Sequence, residues 1–71
     1  MTPASYFLRI SNGQDRAGML DQLAPLGVVH DNLAEGHIYI VISYERDLKA
    51  FRELIDGWQA AGRARILQMG G

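Results

Sequence analysis

The stretch His37-Ile38-Tyr39-Ile40-Val41-Ile42-Ser43-Tyr44 runs without a break into Glu45-Arg46-Asp47-Leu48-Lys49-Ala50-Phe51-Arg52-Glu53-Leu54-Ile55-Asp56-Gly57-Trp58, and its change of period decides the fold. In the first part apolar residues recur at every second position. Ile38, Ile40 and Ile42 point one way, and Tyr39, Val41 and Ser43 the other, which is the pattern of a strand over 37–44. In the second part the period lengthens. Leu48, Phe51, Leu54, Ile55 and Trp58 share one face of a helix over 45–61, while Lys49, Arg52, Glu53, Asp56 and Gln59 cover the other. Glu45–Lys49 and Arg52–Asp56 are spaced as helical ion pairs, worth about 0.2–0.5 kcal/mol each. Gly57 costs this helix about 1 kcal/mol relative to Ala and suggests a close approach by the sheet or a partner. Phe51 and Trp58 read as core residues.

Outward from this strand–helix unit, Ala34-Glu35-Gly36 reads as a hairpin connection. Val28 to Leu33 alternates weakly and contains His30, Asp31 and Asn32, so it is expected to be an edge strand. Pro25 and Gly27 stop a helix of about ten residues, for which Asp15 is the expected N-cap and Leu20, Leu23 and Ala24 the apolar stripe. Residues 5–11 alternate again: Tyr6, Leu8 and Ile10 against Phe7, Arg9 and Ser11. Downstream, Gly62 ends the second helix, Arg63 to Met69 forms a last strand, and Gly70-Gly71 is a tail. The order strand, helix, strand, strand, helix, strand implies one α+β domain over 1–71. It is a ferredoxin-like βαββαβ sandwich, with a four-stranded antiparallel sheet and both helices on one face. The first and third strands lie in the centre, and the second and fourth at the edges.

That topology carries a functional consequence. Two helices cover one sheet face, so the other meets water, a ligand or a partner. Phe7, Arg9, Tyr39 and Val41 are expected on it, and an apolar patch of this kind marks a contact surface. Composition narrows the field. The chain has 71 residues, no cysteine and a formal net charge of −1. Disulfides and thiolate metal sites are excluded. A general DNA-coating role is disfavoured, because such binding rests on many cationic contacts to phosphate. No apolar run approaches the length of a membrane-spanning helix, and the N-terminal residues lack a signal-peptide pattern, so the cytoplasm is the expected compartment. One hydrophobic core of this size leaves about 3–5 kcal/mol of net stability, which makes self-association, as a homodimer or with a partner protein, an expected support.

The string Asp15-Arg16-Ala17-Gly18-Met19-Leu20, at the first strand–helix junction, resembles the Asp-Arg-Pro-Gly-Leu-Leu signature of ACT domains at the same junction. Gly27-Val28-Val29 resembles the Gly-Ile/Val step that opens their second strand, and the βαββαβ order agrees over nearly the whole chain. ACT domains are regulatory modules, many of which bind an amino acid near this loop at an interface between two copies. The resemblance implies a ligand near Asn12, Gln14, Asp15, Gly18 and Met19. A glycine at a helix start lets backbone amides approach a carboxylate, and Asp15 or Asn12 would receive an ammonium group. The chain departs from the pattern at Ala17, where proline is usual, and in a first helix about one turn short. The plainer reading makes Asp15 an N-cap and Gly18 a tolerated glycine.

Other readings carry less. RNA-recognition domains share this topology and stack bases on aromatics of the central strands. Phe7 and Tyr39 are placed for that, with Arg9, Arg63 and Arg65 near phosphate, but the Lys/Arg-Gly-Phe/Tyr run is absent and the charge disfavours nucleic acid. Terminal Gly70-Gly71 is similar to the tail of ubiquitin-like sulfur carriers, yet those begin with a hairpin before the first helix. His30 and His37, with Asp31 and Glu35, could form a two-histidine, one-carboxylate metal site, but no HxH or HExxH spacing supports it. No catalytic arrangement or phosphate loop is present, so no cofactor is expected. The sequence is thus read as a non-enzymatic regulatory module that binds an amino acid-like molecule or a partner protein through a dimeric assembly. The alternative is an interaction, inhibitor or adaptor domain that uses the open sheet face without a small ligand.

Overall fold

The computed structural model describes residues 2–30 and 36–70. Six main elements follow in the expected order: β1 (Ala4–Ile10), α1 (Arg16–Leu23), β2 (Val28–His30), β3 (His37–Ile42), α2 (Glu45–Ala60) and β4 (Ala64–Gly70). The sheet has the order β2-β3-β1-β4. Each neighbouring pair is antiparallel. The chain therefore has the ferredoxin-like α+β fold that its periodicities imply.

The period-two pattern acts in β1 and β3. Tyr6, Leu8 and Ile10 pack with Ile38, Ile40 and Ile42 against Met19 and Leu23 of α1 and against Phe51, Ile55 and Trp58 of α2. All of these side chains are buried, and among the described residues no polar or charged residue is buried with them. The Tyr6 and Phe51 rings meet at 4.6 Å in a tilted pair, an arrangement favoured by ring quadrupoles. The apolar face expected for α2 is the face it buries.

The first helical region differs from its expected form. A 3-10 turn, Gly13–Asp15, precedes α1 and another, Ala24–Leu26, follows it. The cap of the leading turn is Asn12, whose Oδ1 accepts from the Gln14 amide at 3.0 Å. Asp15 makes no side-chain capping bond. The apolar stripe is Met19 and Leu23, with Leu20 half-buried and Ala24 exposed. A helix this short turns only two residues fully inward, and the spacing of four selects Met19 and Leu23.

The glycines divide by cause. Gly36 and Gly62 have φ of +81° and +70°, the left-handed region that glycine enters without penalty. Gly27, expected to serve a helix-ending turn, has instead a φ of 177°. Its need is space: a Cβ there would run into the Val41 carbonyl oxygen and lie 3.0 Å from the Val41 carbonyl carbon. Gly57, expected to admit a close neighbour, is exposed with nothing within 4 Å of an added Cβ. The ion pairs among the described residues are Arg46–Asp47 and Arg63–Asp15, in place of the expected Glu45–Lys49 and Arg52–Asp56.

Strand ends also move. β3 stops at Ile42, and Tyr44 becomes the extended residue before α2. Gly70 belongs to β4 and pairs with Ser5, so it is not part of a free tail. The stretch 31–35, which includes most of the expected hairpin and the end of the second strand, lies outside the described residues, as does Gly71.

Candidate functional site

The strand registers place the open face residue by residue, because directly opposed residues in an antiparallel pair project to the same side. One row runs Val28, Val41, Ser5, Gly70. The next runs His30, Tyr39, Phe7, Gln68. The third contains His37, Arg9 and Arg65. Phe7, Arg9, Tyr39 and Val41 thus occupy one surface, as the alternation of β1 and β3 implies. Val28 joins them at the β2 edge with 61% of its surface exposed.

The rings on this face pack in pairs. Phe7 stacks on His37 at 5.1 Å with an interplanar angle of 18°. His30 lies against Tyr39 at 5.7 Å, tilted by 45°. Beside them a shallow groove is lined by Ser5, Phe7, Tyr39, Gln68, Met69 and Gly70. A register shift between Phe7 and Leu8 brings Gln68, rather than Leu67, opposite Phe7. Bulges of this kind re-aim side chains at a sheet edge.

Charge is unevenly placed. Arg9 and Arg65 face each other across β1 and β4, and the three rows contain no carboxylate among the described residues. Neither guanidinium takes part in the ion pairs found among those residues. Like charges opposed across strands are destabilising by a few tenths of a kcal/mol, roughly 0.2–1. Arg63, which the sequence also offered as a phosphate contact, is instead bound by Asp15 at 3.4 Å.

The turn carrying the ACT-like string is a different kind of place. Gln14 and Gly18 are on the surface there, and Asn12 caps the turn. Asp15 holds Arg63 at the start of β4. Arg16 reaches the His37 carbonyl at 3.2 Å. The Asp15-Arg16 pair therefore ties the start of α1 to two strands at once, a role that the string alone does not reveal. Met19 does not share the surface of this turn. Its side chain has no exposed area and belongs to the core, since position 19 falls on the inward face of α1. Asn12, Gln14, Asp15 and Gly18 remain together at the surface.

His30 and His37 lie in adjacent rows and pack against different rings. Among the described residues no group of three His, Asp or Glu side chains is placed to hold a metal ion; Asp31 and Glu35 lie outside them. His37 Nδ1 is buried with no hydrogen-bond partner among the described residues. No helix of the described residues is long and apolar enough to cross a membrane. No protein-family model, curated protein or solved structure matches this chain.

Proposed function

We propose that this chain is a non-enzymatic binding module that acts through the open face of its sheet. One observation carries the reading. The helices bury the Tyr6, Leu8, Ile10, Ile38, Ile40 and Ile42 side chains of one face, while Phe7, Tyr39, Val41 and Val28 form a contiguous, partly exposed apolar patch on the other. Solvated sheet faces ordinarily alternate to polar residues, and an apolar patch on one marks a place of contact. The Asp15 and Arg63 side chains, by contrast, are engaged with each other in tethering α1 to β4.

Regulation belongs to this reading as its second form. Binding at the face, or of an amino acid-like ligand at the Asn12–Gly18 turn, would favour one association state over another by its differential affinity for the two. Gln14, on the turn capped by Asn12, and Gly18, in the first turn of α1, are both exposed, which supports that second form.

Amide NMR distinguishes the surfaces. Spectra are compared along a protein-concentration series and with amino acids, oligonucleotides and acidic peptides added in turn. The expected result is perturbation gathered on Phe7, Arg9, Tyr39 and Val41 by at least one of these. Perturbation confined to Asn12–Gly18, or none at the face in any titration, refutes the open face as the working surface.

A further inference from the structure

Resting on the open-face reading, we infer that the partner of this face is a single-stranded nucleic acid, held by base stacking on Phe7 and Tyr39 and by phosphate contacts to Arg9 and Arg65. The net charge of −1 argues against this only as long as the charge is treated as spread evenly. The fold sorts it. The three rows of the open face hold two guanidinium groups and no carboxylate among the described residues.

Arg9 and Arg65 sit directly opposite one another on paired strands. An anion between them relieves the repulsion that their placement creates, and arginine suits phosphate through its planar fork of donors. The aromatic positions lie one row away. Residues two apart on a strand are separated by about 6.8 Å, close to the reach of one nucleotide from base to phosphate. Across the strands, His30, Tyr39 and Phe7 form a strip three strands wide, or roughly 10 Å between its outer strands. That is room for about two bases stacked on a sequence-tolerant platform. Ser5 and Gln68, at the groove beside Phe7, offer hydrogen bonds to base edges.

Alternative occupants fit less well. A second copy of the chain seated face to face brings no carboxylate from these rows. It would bury four arginines over one another or over Val28 and Val41, and unpaired buried charge is costly. Duplex nucleic acid hides its base faces and leaves Phe7 and Tyr39 without a partner. An acidic peptide satisfies the arginines but makes less use of the rings.

The test is fluorescence anisotropy with labelled oligouridine and oligothymidine, with duplex DNA, inorganic polyphosphate and an acidic peptide as competitors. The expected result is saturable binding of the single strands with a salt slope of about −1.4, from two phosphates at roughly 0.7 each. The single strand should compete at least about tenfold better than the other polyanions, the size of one base–ring stack. Phe7→Leu with Tyr39→Leu keeps apolar bulk while removing both rings, and should weaken binding about tenfold or more. Arg9→Gln with Arg65→Gln should flatten the salt slope. Circular dichroism confirms that each variant is folded. Equal competition by polyphosphate or peptide, or unchanged affinity in the folded Leu pair, overturns the inference. So does the absence of single-strand binding. If amide shifts at Phe7, Arg9, Tyr39 and Val41 still respond to protein concentration or to the acidic peptide, the open face survives as the working surface and only the nucleic acid falls; if nothing perturbs the face, both readings fall.

Discussion

Replacing Gly27 with alanine tests how tightly the second strand is held against the third. An added Cβ would meet the Val41 carbonyl oxygen, with the Val41 carbonyl carbon at 3.0 Å and the Ile42 Cα at 3.3 Å. These are backbone atoms inside β3, between β1 and β2, and cannot swing aside as a side-chain tip can. Relief requires the chain at Gly27 to back away, which strains the Val28–Val41 and Val29–Ile40 pairing. Overpacking of this kind costs about 1–3 kcal/mol, and backbone contact puts it at the upper end. Reduced freedom of the unfolded chain returns about 0.4–1 kcal/mol. The net loss is about 2 kcal/mol, or a fall in Tm of roughly 8–16 °C for a domain of this size. Gly57→Ala supplies the opposite sign. That position is an exposed helix interior with no neighbour near the added methyl, so the substitution should gain about 1 kcal/mol. Urea and thermal melts followed by circular dichroism measure both. A Gly27→Ala protein as stable as wild type, or a Gly57→Ala protein less stable, would refute the argument from space.

Phe51→Ala should leave little folded protein in water, because its expected cost of about 3–5 kcal/mol equals the whole stability of one small core; a dispersed NMR spectrum with a cooperative melt would contradict that. Asp15→Asn should cost less than about 1 kcal/mol, since the Arg63 pair is partly solvated, and the loss should shrink at high salt; a larger, salt-independent loss measured in urea would show that Asp15 does something other than pair. His37→Phe should raise stability by about 1 kcal/mol, because it keeps a ring against Phe7 and removes a buried nitrogen with no hydrogen-bond partner among the described residues; a lower Tm would indicate that Nδ1 has a partner after all.

The open face is legible in the sequence because strand side chains alternate strictly. Once Leu8, Ile10, Ile38, Ile40 and Ile42 are assigned inward, Phe7, Arg9, Tyr39 and Val41 have nowhere else to point. The same holds for α2, whose apolar face is dense enough to state its own orientation. The first helix is harder to read. Its apolar residues are few, and the string around Asp15 is compatible with a cap, a ligand loop or a tether. Only the arrival of Arg63 and the His37 carbonyl from distant segments reveals the tether.

Fold class and the sidedness of the sheet thus belong to the sequence, because both follow from local periods that any short window reveals. Which residues meet across strands belongs to the tertiary structure. It sets Arg65 opposite Arg9, Gln68 opposite Phe7 past the register shift, and His37 against the Phe7 ring. It puts Met19 in the core and makes Gly27 a matter of clearance rather than of turning. These facts depend on register, on bulges and on the distance between backbones far apart in the chain. A period along one strand contains no information about where its neighbour begins.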